Sequence, residues 1–282
     1  MVVFLTILIV LVVLILLFLL SIGGRWNHPK LRHLKQFDYA HRGLHDRNQG
    51  IPENSLTAFQ EAAAHGFGAE LDVHLTKDGH LVVIHDENLS RMTGVDANVC
   101  DLTAAEIEQL TLLNTPEPIP YFEEILPIFE HAGLPLVIEL KTFRGNHKTL
   151  ARSVLDTLAN YPELDFCIES FDPRAMFAVR RMDKSIVRGQ LSSNFTREPE
   201  HLHFPLTFLL KHLMLNFLSR PDFIAYKYKY RKCPSVRLCK WLYGVQEFDW
   251  TIRTKPQATK ALREGSVIIF EGFDPNTLTN VK

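Results

Sequence analysis

Short apolar runs alternate with amphipathic segments along most of this 282-residue chain, from Phe37 to the C-terminus. Such alternation is typical of strands and helices that follow one another in βα units. A chain of about 250 residues with this pattern has the usual size of one (β/α)8 barrel. The alternation therefore predicts an α/β fold, with a TIM-type (β/α)8 barrel over residues 37–282.

Nine segments have the length and apolar content of strands, whereas a barrel of this type needs eight. They are residues 37–41, 68–75, 81–85, 136–141, 165–170, 185–191, 223–228, 245–252 and 266–270. One of the nine is therefore expected to be a loop or an accessory strand. Between them, helix caps are predicted at Asn54 or Ser55, at Thr103 with Glu106, and at Asp172.

The segment 68–75 alternates regularly between apolar and polar residues. Its apolar residues are expected to face the surrounding helices, whereas Glu70, Asp72 and His74 face the centre or mouth of the barrel. Carboxylates two positions apart on a strand point to the same face, so Glu70 and Asp72 can share one cation. Hard oxygen ligands of this kind suit Mg²⁺ or Ca²⁺.

Composition excludes several classes of protein. A net charge of −1 and 46% hydrophobic residues give no sign of a nucleic-acid partner. The cysteines, Cys100, Cys167, Cys233 and Cys239, show no CxxC spacing. They indicate neither a zinc site nor a disulfide framework, and free thiols are expected.

The N-terminal segment Val2–Ile22 is apolar except for Thr6 and Ser21. As a helix it would extend about 31 Å, which is enough to cross a bilayer. A cleaved signal peptide would begin with a basic region and have a shorter apolar core. We therefore expect a transmembrane anchor at residues 1–23, followed by a basic juxtamembrane linker at residues 24–36.

The charges around this anchor predict its orientation. No lysine or arginine precedes the apolar segment, whereas Arg25, Lys30, Arg32 and Lys35 follow it. The positive-inside rule then places the barrel in the cytoplasm and predicts a single-pass protein of the cell membrane.

Several short motifs occur in a fixed order along the predicted strands. They are HRG at 41–43, PEN at 52–54, ELDV at 70–73, KDG at 77–79, HD at 85–86, IELK at 138–141, ESF at 169–171 and WTIR at 250–253. In this order the chain resembles the glycerophosphodiester phosphodiesterase family. The resemblance implies a TIM-type barrel, one divalent cation, and hydrolysis of glycerophosphodiesters to an alcohol and glycerol 3-phosphate.

The resemblance also implies roles for individual residues. Glu70, Asp72 and Glu139 would hold the cation, and His41 and His85 would act as general acid and base. Histidine suits this work because its pKa of about 6.5 lies near neutral pH. His74 shares a face with Glu70 but matches no motif, so a structural role is expected for it.

Arg42 and Lys141 would bind the phosphate and stabilise its developing charge. The nucleophile would be either the glycerol hydroxyl beside the phosphate, giving a cyclic phosphate, or a water activated by the metal. One position departs from the family pattern, because Glu271 stands where the family has an aspartate at the end of its last strand. This difference puts the contacts of the last strand at the barrel mouth in question.

The stretch 201–240 is unusual in having an apolar first half and a basic second half. Residues 220–240 contain seven lysine and arginine residues, with Asp222 as the acidic residue. One interpretation is a barrel helix followed by a solvated loop. The other is a surface that lies on anionic lipid.

Three functions remain open at this point. The first is a membrane-anchored hydrolase of small, soluble glycerophosphodiesters. The second is a hydrolase like lysophospholipase D, whose lysophospholipid substrate carries an acyl chain. The third is a catalytically inactive, membrane-tethered binding barrel, which the presence of both histidines and all three carboxylates argues against.

Overall fold

A computed structural model describes residues 1–25, 28–198 and 203–278. Within these residues the chain folds into a closed barrel of eight parallel strands. The nine strands, eight of which form the barrel, are β1 (Tyr39–His41), β2 (Gly68–Leu75), β3 (Leu81–Val83), β4 (Leu136–Leu140), β5 (Phe166–Ser170), β6 (Arg188–Ser192), β7 (Phe223–Lys227), β8 (Gln246–Ile252) and β9 (Val267–Phe270). The barrel order is β1, β2, β4, β5, β6, β7, β8 and β9, and β9 pairs with β1 to close it. The predicted (β/α)8 barrel is confirmed.

Helices surround the barrel and precede it. They are α1 (Val2–Ile22), α2 (Leu31–Leu34), α3 (Leu56–Ala64), α4 (Ser90–Thr93), α5 (Ala104–Ile107), α6 (Phe122–Ala132), α7 (His147–Leu158), α8 (Pro173–Met182), α9 (Leu206–Lys211), α10 (Asn216–Ser219), α11 (Pro234–Tyr243) and α12 (Lys255–Arg263). Three predicted caps are present, because Ser55, Thr103 and Asp172 accept hydrogen bonds from the first turns of α3, α5 and α8.

The ninth strand candidate, β3, is the accessory strand. It pairs antiparallel with β2, with Val73 opposite Val83, and takes no place among the eight barrel strands. It ends at Val83 rather than at residue 85. His85 therefore lies in the loop after β3. Because β3 runs antiparallel to β2, this loop returns to the C-terminal ends of the barrel strands.

The N-terminal end of the barrel is closed by part of the predicted linker. Leu31 and Leu34 of α2 are buried in the cluster that fills the barrel interior, together with Tyr39 and Phe248. The Tyr39 hydroxyl donates to the Leu34 carbonyl over 2.6 Å. Residues 28–36 thus pack onto the barrel, whereas 26 and 27 lie outside the described residues.

The N-terminal helix α1 also attaches at this end. Arg25, which follows it, donates from Nη2 to Asp222 Oδ2 over 2.7 Å, immediately before β7 begins. Gly24 passes so close to Pro221 that an added Cβ would lie 2.4 Å from the Pro221 carbonyl oxygen. The chain is therefore held tightly where the anchor meets the barrel.

Two further contacts show how α1 leaves the barrel. The Ile22 carbonyl accepts from Asn216 and Cys239, whereas the Leu19 carbonyl accepts from the hydroxyl of Tyr243, the last residue of α11. Barrel helices run antiparallel to the strands, so Tyr243 lies at the N-terminal end of the barrel. Because residues 2–17 are all exposed, α1 extends away from that end without packing along the barrel wall. Among the described residues, α1 is the helix long and apolar enough to cross a membrane.

The stretch 201–240 combines features of both interpretations. Its apolar half forms α9 and α10 between β6 and β7, where Leu213 and Asn216 are buried. Phe204, Phe208 and Phe217 nevertheless expose much of their rings. The apolar half therefore forms two short helices and leaves several aromatic side chains exposed, and residues 201 and 202 lie outside the described part of the chain.

The packing of α2 predicts that the segment before β1 stabilises the barrel. Replacing Leu34, which is 1% exposed, with alanine should lower the free energy of unfolding by about 2–5 kcal/mol. The exposed neighbour Lys35 provides a matched control, and Lys35→Ala should change it by less than about 0.5 kcal/mol. Chemical unfolding of the detergent-solubilised chain measures both, and equal values would show that α2 contributes no packing.

Candidate active site

Three carboxylates meet at the C-terminal ends of β2 and β4. One carboxylate oxygen from each of Glu70, Asp72 and Glu139 lies within 4.8 Å of the others, and all three side chains are buried. Strand register produces this meeting, because Asp72 is paired with Glu139 across β2 and β4. The three residues predicted as metal ligands are thus brought together.

The positive side chains beside this cluster do not balance the charge of all its carboxylates. Burial, with Asp72 and Glu139 nearby, raises the pKa of Glu70 well above its usual range. Burial also raises the pKa of Glu139 to about 7. Burial would do the same to Asp72, but Lys141, His85 and Arg42 hold its pKa well below the usual value. A divalent cation would stabilise the ionised carboxylates, so this donor set fits a site for a hard cation.

A fourth buried acid, Glu169, stands beside the cluster. It lies on β5 directly opposite Glu139, and its Oε2 atom has no hydrogen-bond partner among the described residues. Burial and the nearby Glu139 raise its pKa well above the usual value. The ESF motif contains this residue, but the motif does not show that its side chain points into the barrel. That direction follows from the pairing of β5 with β4.

Both predicted catalytic histidines line one cavity of about 280 Å³ with Glu70 and Glu139. His41 Nδ1 lies 3.1 Å from Glu271 Oε2, and His85 Nδ1 lies 2.7 Å from Asp86 Oδ1. A carboxylate at Nδ1 favours the tautomer with hydrogen on that atom and leaves Nε2 as the basic nitrogen. Burial lowers the pKa of His41 to about 4, and burial with Lys141 lowers the pKa of His85.

The turn after β1 explains the HRG motif. Arg42 has a φ of 58°, and its backbone N–H donates to Glu70 Oε2 over 3.1 Å. Gly43 has a φ of 77°, and an added Cβ would lie 2.8 Å from the backbone of Ala58. A side chain at this position would therefore push α3 away from β1 and disturb the amide that holds Glu70.

The two predicted phosphate-binding side chains are ion-paired. Lys141 Nζ lies 2.9 Å from Asp72 Oδ1 and 2.8 Å from Glu139 Oε2, between two of the predicted ligands. Arg42 Nη1 lies 2.7 Å from Glu53 Oε1, and its Nε lies 3.5 Å from Asp72 Oδ2. Arg42 lines the cavity, whereas Lys141 lies behind the carboxylates.

Residues to which the sequence analysis gave no role at the site also support it. Glu53 pairs with Arg42 and with Arg91 Nη2, at 2.7 Å each, and Arg91 in turn pairs with Asp86 behind His85. Asn54 donates to Asp72 Oδ2 over 2.8 Å, which leaves the capping of α3 to Ser55. The PEN motif therefore links the two histidine-bearing segments through ion pairs.

His74 supports the loop that carries His85. Its Nδ1 lies 2.9 Å from Glu87 Oε2, and its Nε2 lies 3.1 Å from the His85 carbonyl oxygen. The buried ring is satisfied by these partners, which agrees with the structural role predicted for it.

The opposite wall of the cavity is partly aromatic. Phe171 and Trp250 pack edge to face, with ring centroids 5.6 Å apart, and Lys227 Nζ lies 5.6 Å from the centroid of Trp250. Arg253 also lines this wall and pairs with Glu271 over 3.0 Å. Glu271, the residue that departs from the family pattern, thus contacts both His41 and Arg253.

A barrel with buried carboxylates, two oriented histidines and cationic side chains at the C-terminal ends of its strands defines a phosphodiester hydrolase. A sequence model of the glycerophosphoryl diester phosphodiesterase family matches residues 41–269, and the chain belongs to this family. The glycerophosphodiester phosphodiesterase of Caldanaerobacter subterraneus is 30% identical over 257 residues, covering 88% of this chain and 98% of the relative. The chain is therefore a phosphoric diester hydrolase.

Two other comparisons concern fold and substrate. A phosphodiesterase of Oleispira antarctica, solved in complex with sn-glycerol 3-phosphate, has a TM-score of 0.71 and 23% identity, covering 88% of this chain and 95% of that structure. This likeness supports the fold. A mouse lysophospholipase D is 35% identical over 135 residues, covering 43% of this chain and 40% of the relative.

The contact between Glu271 and His41 predicts a positioning role for this carboxylate. Glu271→Gln should lower kcat about tenfold or more with little change in KM, because the amide no longer favours the required tautomer of His41. Arg253→Gln removes the other partner of Glu271 and should cost less, since the contact with His41 remains. Steady-state kinetics separates the two variants, and an unchanged kcat in Glu271→Gln would remove the positioning role.

Proposed function

We propose that the cavity hydrolyses glycerophosphodiesters to an alcohol and glycerol 3-phosphate with one divalent cation, Mg²⁺ or Ca²⁺. The observation that carries this proposal is the cluster of Glu70, Asp72 and Glu139, of which Glu70 and Glu139 line one cavity together with His41 and His85. The three carboxylates would hold the cation. When bound, the cation supplies positive charge that polarises the phosphoryl group of the substrate.

The two histidines perform the proton transfers. Each is oriented by a carboxylate at Nδ1, so each presents Nε2 to the reacting atoms. One Nε2 accepts the proton of the attacking hydroxyl, and the other histidine, in its protonated form, donates to the oxygen of the leaving alcohol. Either histidine can take either role, and the attacking hydroxyl is that of the glycerol moiety or of water.

Of the two cationic side chains, Arg42 binds the phosphate and Lys141 stabilises the charged site. Arg42 lines the cavity and is held by Glu53, so its guanidinium is positioned before the substrate arrives. Lys141 offsets the charge of Asp72 and Glu139 from behind. With both in place, the developing negative charge meets fixed positive groups that need no reorganisation.

Removal of divalent cations should abolish hydrolysis of glycerophosphocholine, and added Mg²⁺ or Ca²⁺ should restore it. Glu70→Gln should reduce activity far more than stability, whereas Glu123→Gln, an exposed control on α6, should change neither. Assays after chelation, with bound metal measured by elemental analysis, decide the point. Full activity in a metal-free preparation would refute the proposed cofactor.

Alanine at either catalytic histidine should lower kcat by about 10²–10⁴-fold. His131→Ala, an exposed control, should retain wild-type kinetics. Metal content should persist in all three variants, because neither His41 nor His85 is a proposed ligand. A variant at His41 or His85 that keeps more than about a tenth of wild-type kcat would contradict the proton-transfer role.

The position of the anchor supports a water-soluble substrate. The cavity opens at the C-terminal ends of the strands, whereas α1 leaves from the N-terminal end. If α1 crosses the membrane, the barrel mouth opens away from the bilayer. A substrate that dissolves in water reaches such a mouth without leaving a lipid surface.

A lysophospholipid is the second candidate substrate. The exposed rings of Phe204 and Phe208, on the chain between the C-terminal end of β6 and α10, favour it. So does the name of the mouse relative. Replacing Phe208 with serine distinguishes the two: a soluble substrate predicts equal rates for the variant and the wild type on glycerophosphocholine. A selective loss on lysophosphatidylcholine vesicles, in a variant with an unchanged thermal transition, would favour the lipid substrate.

We also propose that α1 is a single membrane span with the barrel in the cytoplasm, because basic residues follow it directly. Protease added to intact cells should then leave the barrel uncut, and it should cut the barrel after the membrane is opened. Cleavage of the barrel in intact cells would place it on the other side.

A further inference from the structure

A second, larger cavity lies outside the catalytic site. It has a volume of about 920 Å³ and runs over β8 between α11 and α12, and it shares no lining residue with the catalytic cavity. Six cationic side chains line this cavity, here called the basic groove: Lys229, Arg231, Lys232, Arg237, Lys240 and Lys260. The exposed ring of Trp241 completes one edge.

Two of the six cations are neutralised by acids in the groove wall. Arg231 Nη1 lies 2.9 Å from Asp249 Oδ2, and Lys240 Nζ lies 2.8 Å from Glu247 Oε2. Asp249 and Glu247 are buried, so they hold their partners against the barrel. The exposed Glu264, which also lines the groove, pairs with Nη2 of Arg231. This pairing fixes the floor of the groove.

The other four cations carry unbalanced charge. Within residues 1–25, 28–198 and 203–278, no carboxylate lies within ion-pair distance of Lys229, Lys232, Arg237 or Lys260. All four side chains are exposed. The groove therefore presents several unpaired positive charges, although the net charge of the whole chain is −1.

One end of the groove lies level with the end of the membrane helix. Trp241 is 80% exposed, and Leu242 beside it is exposed too. The next residue, Tyr243, donates its hydroxyl to the carbonyl of Leu19 in the last turn of α1, over 2.8 Å. Tryptophan and tyrosine are enriched where protein passes from hydrocarbon to lipid headgroups. The groove therefore begins where the leaflet entered by α1 would have its headgroups.

We propose that the basic groove binds the phosphate headgroup of an anionic phospholipid in the leaflet that α1 enters. Arg237 and Lys260, on opposite walls of the groove, donate to the phosphate, while Trp241 rests at the headgroup boundary. The bound lipid would fix the rotation of the barrel about its anchor. The proposal needs α1 to lie in the membrane but does not depend on the catalytic assignments.

The test uses the full chain in detergent micelles containing brominated phosphatidylglycerol or brominated phosphatidylcholine, because bromine quenches nearby tryptophan. Phosphatidylglycerol should quench the protein at lower mole fraction than phosphatidylcholine, and Trp241→Phe should lose most of the difference. In the double variant Arg237→Gln/Lys260→Gln the apparent affinity for phosphatidylglycerol should fall by about fivefold or more.

The matched control is Lys148→Gln/Arg152→Gln, which removes the same charge from an exposed face of α7. It should bind phosphatidylglycerol as the wild type does. Both double variants should keep their thermal transition and their hydrolysis of glycerophosphocholine, so a failure of the catalytic proposal would be seen separately. Equal quenching by the two lipids, equal affinity of the two double variants, or displacement of the lipid by inorganic phosphate at the same concentration would overturn the proposal.

Discussion

The burial of four carboxylic acids side by side is the constraint on which this site depends. Glu70, Asp72, Glu139 and Glu169 extend from three neighbouring strands into one water-poor region. Like charges this close cannot all ionise unless positive charge is supplied. Lys141 and Arg42 supply part of it, and burial still holds the pKa values of Glu70 and Glu139 above their usual range. A divalent cation held by these carboxylates would supply further positive charge, and that charge would also act on the phosphate.

The surrounding ion pairs hold Arg42 and the two histidines in place. Glu53 connects Arg42 to Arg91, and Arg91 reaches His85 through Asp86. Across the cavity, Glu271 holds His41. Motifs that are far apart in the sequence thus form one set of charge-assisted contacts around the cavity. Such contacts are shorter and stronger than neutral hydrogen bonds, so they can fix side chains before the substrate binds.

Strand periodicity predicted much of this architecture, because alternation alone fixes which side of β2 carries Glu70 and Asp72. Periodicity could not identify β3 as the accessory strand. Whether a strand pairs parallel or antiparallel with its neighbour depends on the path of the chain between them. Nor could periodicity predict that Lys141 lies between two carboxylates, or that Glu53 and Asn54 support the site. Those contacts join distant segments. The sequence analysis also missed the packing of α2. Its Leu31 and Leu34 lie among basic residues, and those residues led to the interpretation of the segment as a linker.

The most direct test of this account is to locate the cation itself. Crystals of the chain grown with Mn²⁺ and measured at its absorption edge show bound metal as an anomalous peak. The account predicts one strong peak about 2.0–2.6 Å from oxygens of Glu70, Asp72 and Glu139, beside the Nε2 atoms of His41 and His85. A well-ordered cavity with no peak among these carboxylates, or with the metal bound elsewhere in the barrel, would contradict it.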